Sequence, residues 1–140
     1  MLVKDIMSND IVSLHSEDSV EKAAQLMKQH DIGSIPVCSG NQVVGIVTDR
    51  DITLRSVATG HTQQKVGDIM TSNPVFGKPD MDVHDAARIM SEKQIRRLPI
   101  VQGDSLVGML ALKDISVEPD LQENAEKALK NISKDKGLQS

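Results

Sequence analysis

The chain carries one pattern twice. Residues 3–52 align without a gap onto residues 66–115, at an offset of 63, and about a third of the aligned positions are identical, as expected when one supersecondary unit is duplicated. Asp5-Ile6-Met7 returns as Asp68-Ile69-Met70. Val20, Ala23, Ala24 and Met27 return as Val83, Ala86, Ala87 and Met90. Ile32 and Pro36 return as Ile95 and Pro99, Val44-Gly45 as Val107-Gly108, and Asp51-Ile52 as Asp114-Ile115. A unit of about 50 residues is marginal as a core on its own, so the two are expected to pack into one body. The positions at which the copies differ are then the informative ones.

Each copy reads in the same order. A short extended piece comes first, Ile11-Val12-Ser13-Leu14 or Pro74-Val75-Phe76. The apolar positions from Val20 to Met27, and from Val83 to Met90, follow helical spacing. Asp18 with Glu21, and Asp82 with Asp85, read as cap and third-position pairs that start these helices. Two apolar runs then flank a turn, Ser39-Gly40-Asn41-Gln42 in the first copy and Gln102-Gly103-Asp104-Ser105 in the second, and read as hairpins. Pro36 and Pro99 belong near strand starts or sheet edges. A second helix opens at Thr48-Asp49-Arg50-Asp51, or at Leu112-Lys113-Asp114.

The fold class is therefore α+β, two β-α-β-β-α units followed by a C-terminal helix. The first unit spans 1–60, a polar linker 61–65 and the second unit 66–118. A C-terminal amphipathic helix and a frayed tail fill 119–140. Leu121, Ala125, Ala128, Leu129 and Ile132 mark the apolar stripe of that helix. Glu123 with Lys127, and Glu126 with Lys130, are spaced to pair along it.

A formal net charge of −4 argues against a dedicated nucleic-acid binder, which needs a basic surface. Phe76 is the one aromatic residue, so no platform for stacking bases exists. No run of apolar residues reaches bilayer-spanning length, and Met1-Leu2-Val3-Lys4-Asp5 has no signal-peptide character. A single Cys38 fits a reducing cytoplasm.

The sharpest local signal is Gly45-Ile46-Val47-Thr48-Asp49-Arg50-Asp51, where a strand passes directly into a helix. Backbone N–H groups and the helix dipole favour an anion at such a junction. Thr48 offers a hydroxyl, Asp51 can accept two hydrogen bonds from a vicinal diol such as a ribose, and Gly45 permits close backbone approach. The same residues also spell a capping box, with Thr48 as cap and Asp51 reaching back. The second copy reads Gly108-Met109-Leu110-Ala111-Leu112-Lys113-Asp114: the hydroxyl is gone and the Asp stays. A carboxylate retained without its capping partner favours a ligand role. A dipole-favourable acid in the first helical turn is the milder alternative.

The Asp-Ile-Met opening, the Ile-x-x-x-Pro hairpin start and the Gly-x-x-Thr-x-x-Asp junction, in order and nearly twice, resemble a tandem CBS-domain pair, the module named after cystathionine β-synthase. The resemblance covers about residues 3–116. It implies two CBS units packed sheet to sheet with pseudo-twofold symmetry, leaving two clefts, and commonly a homodimer. It implies an adenosine-containing ligand, AMP, ADP or ATP first and S-adenosylmethionine or NAD second. By position, Asp51 would take the ribose of the first cleft, with Thr48 on its phosphate or ribose side. Backbone around Ser13-Leu14 and Ser34-Ile35-Pro36 would frame the adenine. Arg96 and Arg97, at the hairpin start of the opposite copy, would meet phosphate. Asp114 would serve the second cleft, framed by Val75-Phe76 and Leu98-Pro99, and Ala111 departs from the family pattern there.

Arg96 and Arg97 stand where the first copy has Gly33 and Ser34. A solvated surface pair is the plain reading. Alternation along a strand would send only one of them into the cleft, and Arg suits phosphate through its planar fork. Gly103-Asp104-Ser105-Leu106 matches a serine-esterase motif but falls on a hairpin turn. The four histidines and Cys38 have no close metal-ligand spacing. The reading is a cytoplasmic regulatory module rather than an enzyme, sensing an adenine nucleotide as an energy signal. It requires no cofactor and acts through an effector protein. The alternative is a structural dimerisation module with empty clefts.

Overall fold

The computed structural model describes residues 1–61, 63–72 and 74–136. The chain divides into two compact units that do not follow the two repeats. Unit 1 comprises 1–11, 75–103 and 107–140, and unit 2 comprises 12–74 and 104–106. The opening segment of each repeat thus lies with the body of the other repeat.

In unit 2, β1 (Leu14–His15) pairs in parallel with β2 (Ser34–Ser39). β2 pairs antiparallel with β3 (Gln42–Thr48), and β3 with β4 (Thr71–Ser72). The four strands form one sheet in that order. α1 (Val20–His30) buries Val20, Ala23 and Met27 against Leu14, Ile35, Val37 and Val47, while Ala24, the fourth position of the expected stripe, is exposed. Ser19 caps α1, its hydroxyl accepting from Lys22 N at 3.0 Å. The expected cap, Asp18, instead accepts from His15 N at 2.8 Å and closes the preceding turn. α2 (Asp49–Ile52) continues into a π-helical turn, Thr53–Val57. α3 (Val66–Ile69), the opening of the second repeat, puts Val66 and Ile69 into this same core.

In unit 1, α4 (Val83–Lys93) is capped by Asp82, which accepts from His84 N at 2.8 Å. Asp85 does not reach back to the cap as expected; it pairs with Arg88 at 3.1 Å, one turn along. β5 (Arg97–Gln102) and β6 (Ser105–Ala111) form a two-stranded sheet. The extended piece expected at Pro74-Val75-Phe76 shrinks to one bridge between Gly77 and Ile100. α5 (Leu112–Ser116) follows the hairpin, and α6 (Gln122–Lys136) packs on α4 and α5. Val3, in the opening turn Val3–Asp5, is fully buried with Val83, Leu98, Ile100 and Ile115.

Two methionines and two glycines fasten this exchange. Met70 packs onto Gly45 of β3, and Met7 onto Gly108 of β6. The sequence reading set Gly45 aside for close approach at the junction; the group that approaches it is the chain's own Met70-Thr71. Pro36 lies just outside the β1 register, and Pro99 flanks the Gly77–Ile100 bridge, where its carbonyl accepts from Gly77 N at 2.9 Å and no N–H of its own is called for. Gly103, at φ +63°, and Asp104 form the expected turn.

Of the expected stripe, Ala125, Ala128 and Ile132 are buried on α6 and Leu121 in the turn before it, whereas Leu129 is exposed. Gln94 Nε2 donates to Asn131 O at 3.0 Å, and the Asn131 amide donates to Ser91 Oγ. No ion pair joins Glu123 to Lys127 or Glu126 to Lys130 among the described residues, in keeping with the small worth of exposed pairs. Residues 134–136 remain helical, and the rest of the tail expected to fray, 137–140, lies outside the described residues.

Candidate functional site

The residues singled out by sequence fall into two sets, one in each unit. In unit 2, Ser34 sits directly across from Thr48 at the open end of the hairpin. Thr48 and Asp51 close a full capping box. Asp51 N donates to Thr48 Oγ1 at 3.0 Å, and Thr48 N donates to Asp51 Oδ2 at 3.0 Å. The other carboxylate oxygen of Asp51 lies 3.9 Å from Arg55 Nε, and Arg55 Nη1 donates to Ile69 O at 3.0 Å. Asp49 N donates to Gly33 O at 3.0 Å, and its carboxylate lies over Gly33, 3.2 Å from where a Cβ would stand. Ser13 is exposed, whereas Leu14, Ile35 and Pro36 are buried. Leu14 and Ile35 are core side chains, so only their backbone can face a ligand.

In unit 1, the same junction is built without the hydroxyl. Ala111 N donates to Asp114 Oδ2 at 2.9 Å, and Leu112 N donates to Arg96 O at 2.9 Å. The carboxylate half of the capping box therefore survives the loss of its threonine. Retention of Asp114 thus has a capping explanation that needs no hydroxyl, beside the ligand role that the sequence favours. Asp5 and Asp68 do the same for Leu2 N and Lys65 N, at 3.0 and 3.1 Å. All four acids relieve an N–H that a helix start leaves unpaired.

A pocket of about 630 Å³ opens at this second junction, lined by Arg96, Arg97, Ala111, Leu112, Lys113 and Ser116, with Ala125, Glu126 and Leu129 of α6. Both arginines reach it, contrary to the alternation argument. β5 begins only at Arg97, so strand alternation does not extend to Arg96. Phe76, 38% exposed, does not line the pocket, and Leu98 lies in the core.

The sequence reading missed Lys113, Leu112 and the α6 wall. A signal for Leu112 was present. Gly33 pairs with Asp49 in one copy, and Arg96 with Leu112 in the other, through the same backbone hydrogen bond. The two substitutions together turn an acidic junction basic. Where α6 docks had no counterpart in the repeat.

Two α+β repeats, each ending its hairpin in a helix whose first turn holds a carboxylate on the cap amide, define the chain as a tandem-repeat protein. It belongs to the CBS-domain family, whose model matches residues 3–57 and 66–119. It is 43% identical to the CBS domain-containing protein YhcV of Bacillus subtilis (strain 168), over 94% of each chain. It resembles the CBS domain pair of protein MJ0100, solved with 5'-methylthioadenosine and S-adenosyl-L-methionine, at 32% identity and a TM-score of 0.75, covering 83% of this chain and 93% of that one. It also resembles CBSX2, solved with AMP, at 28% identity and a TM-score of 0.73, covering 87% and 97%. Among the described residues no helix is long and apolar enough to cross a membrane.

Proposed function

We propose that this protein is a regulatory module that binds an adenosine-containing ligand at its strand-to-helix junctions and has no catalytic role. One observation carries the reading: each junction holds an Asp by one oxygen on the cap amide, Asp51 on Thr48 and Asp114 on Ala111. A carboxylate so oriented offers its second oxygen to a ribose hydroxyl. Thr48 and Ser34 stand beside Asp51, and backbone at Ser13, Leu14, Ile35 and Pro36 would frame the base. The relatives solved with AMP and with S-adenosyl-L-methionine support the ligand class. The protein would act in the cytoplasm, as a homodimer, through an effector protein.

Thermal melting with AMP, ADP, ATP, S-adenosylmethionine and NAD tests this. A ligand at 100 times its dissociation constant adds about 2.7 kcal/mol of stability, an upward shift of at least several degrees at this size. Asp51→Ala should abolish most of the shift, and Thr48→Ala should reduce it. The absence of a shift with all five ligands overturns the reading.

A second reading draws on the same carboxylates. All four cap a helix without any ligand, which suits a structural dimerisation module. Sedimentation would then show a dimer whose stability no nucleotide changes.

A further inference from the structure

We propose that Arg55 couples the Asp51 junction to the segment that opens the second repeat, so that a ligand taking the free oxygen of Asp51 loosens the seat of α3. The ligand half of this rests on the reading above, and the coupling stands on unit 2 alone. Arg55 lies on the π-helical turn Thr53–Val57 that continues α2, a kind of turn that recurs at functional sites. Its half-exposed side chain spans two elements. Nε faces Asp51 Oδ1 at 3.9 Å. Nη1 donates to Ile69 O at 3.0 Å and to Met70 O at 3.4 Å.

Asp51 is buried, and its Oδ2 already accepts from Thr48 N. Oδ1 is therefore the oxygen left for a ribose hydroxyl, and Arg55 faces that same oxygen. Ile69 O belongs to the last turn of α3, whose carbonyls have no intrahelical donor, and a cationic donor suits them. Directly after it, Met70 packs on Gly45, and Thr71 and Ser72 pair with Ile46 and Gly45. One side chain thus meets both the acid of the candidate site and the place where the second repeat's opening segment is seated.

A hydroxyl donating to Oδ1 competes with Arg55 for that oxygen. With the Asp51 end released, the whole entropic cost of ordering this long side chain falls on its bonds to the carbonyls, and α3 is held less firmly. Coupling of this kind is reciprocal, so removing the guanidinium should tighten the ligand. Unit 1 is built differently here. The residue aligned with Arg55, at the offset of 63, is Glu118, and an ionised carboxylate has no N–H to give a carbonyl. The device belongs to the junction of unit 2.

Hydrogen exchange on the full chain tests the proposal at residues 66–72, with the amides of α1 as the gauge of overall opening. Asp51→Asn keeps an oxygen for Thr48 N and removes the charge facing Arg55. Arg55→Met keeps the stem and removes the guanidinium. Without ligand, Asp51→Asn should speed exchange at 66–72 relative to α1 by about two- to fivefold, the worth of an exposed ion pair. Arg55→Met should speed it at least as much, and the double variant should be no faster than Arg55→Met alone. Arg55→Lys, charged but without the planar fork, should retain part of the protection. Additive effects of the two substitutions overturn the coupling.

With AMP as the probe, exchange at 66–72 relative to α1 should rise in the parent protein and not in Arg55→Met, which should bind AMP about two- to fivefold more tightly. An arginine that only braces α3 would shift the baseline and leave the response to AMP intact, and that result overturns the proposal. AMP bound by the parent with no response at 66–72 also overturns it and leaves the adenosine reading standing. Non-additive effects without binding of AMP, ADP, ATP, S-adenosylmethionine or NAD support the coupling and overturn the adenosine reading.

Discussion

The Met70 sulfur lies 2.5 Å from the point where a Cβ on Gly45 would stand, and Thr71 O lies 2.7 Å from it. The second repeat's opening segment is thereby seated on the first repeat's hairpin. At Gly108 the added carbon would meet Met7 Sδ at 2.5 Å but backbone, at Ser8 O, only at 3.1 Å. A methionine can swing aside, and a carbonyl cannot. Gly45→Ala should therefore destabilise by about 1–3 kcal/mol, as overpacking does, and Gly108→Ala by less. Urea denaturation of the two variants checks the order.

Thr48 gives the first junction what Ala111 cannot give the second, a hydroxyl accepting from the third helical N–H. Thr48→Ala should cost about 1 kcal/mol, the usual worth of an N-cap, with the Asp51 bond to the cap amide retained. Asp51→Ala, which removes the carboxylate and leaves its neighbours buried, should cost at least as much. Chemical denaturation without ligand gives both values. An Asp51→Ala protein as stable as the parent would show that the acid does not hold this junction.

Much of this architecture can be read from the repeat. The buried faces of α1 and α4 are those given by Val20-Ala23-Met27 and Val83-Ala86-Met90, because apolar spacing reports burial directly. The hairpins follow from Gly40 and Gly103, both at positive φ in the structure. The exchange of opening segments was not readable. Asp-Ile-Met has the same composition whichever core receives it, and only three-dimensional contact decides that Ile69 joins Leu14. The retained Asp114 is ambiguous for a related reason. A capping box appears as a pair of residues in sequence, yet half of it needs only a backbone amide. At the pocket, the arginines were visible as a departure between copies. Their partners were not, because Lys113 looks like any exposed lysine and α6 has no equivalent in the first repeat.

Cys38 is 7% exposed, on β2 beside the register shift that follows Val37. Burial raises the pKa of its thiol above the ordinary value, so little thiolate is present at neutral pH, and the thiolate is the reactive form. A disulfide reagent should label the native protein slowly and the urea-unfolded protein at the rate of a free cysteine. Fast labelling of the native chain would mean that this part of the sheet opens readily.

The acid limb of stability should depend on Asp18 and Asp82. The His15 backbone N–H, foremost, holds Asp18 below its ordinary value of 3.8, with Lys22 adding to it. The His84 backbone N–H does the same for Asp82, and the His84 ring adds to that. Each group is thus more acidic folded than unfolded, so its contribution is fully present above the unfolded value and is lost as pH falls through the folded one. Melting temperature should begin to drop as pH goes below about 4, where unfolded carboxylates take up protons. Asp18→Asn and Asp82→Asn should each lower the melting temperature at neutral pH and flatten the decline below pH ~4. Both residues are partly exposed, so solvent screening keeps each effect small, and the double variant should show it more clearly. An acid limb of unchanged steepness in the double variant would assign the acid sensitivity to other carboxylates, the capping acids Asp5, Asp51, Asp68 and Asp114 being the next to substitute.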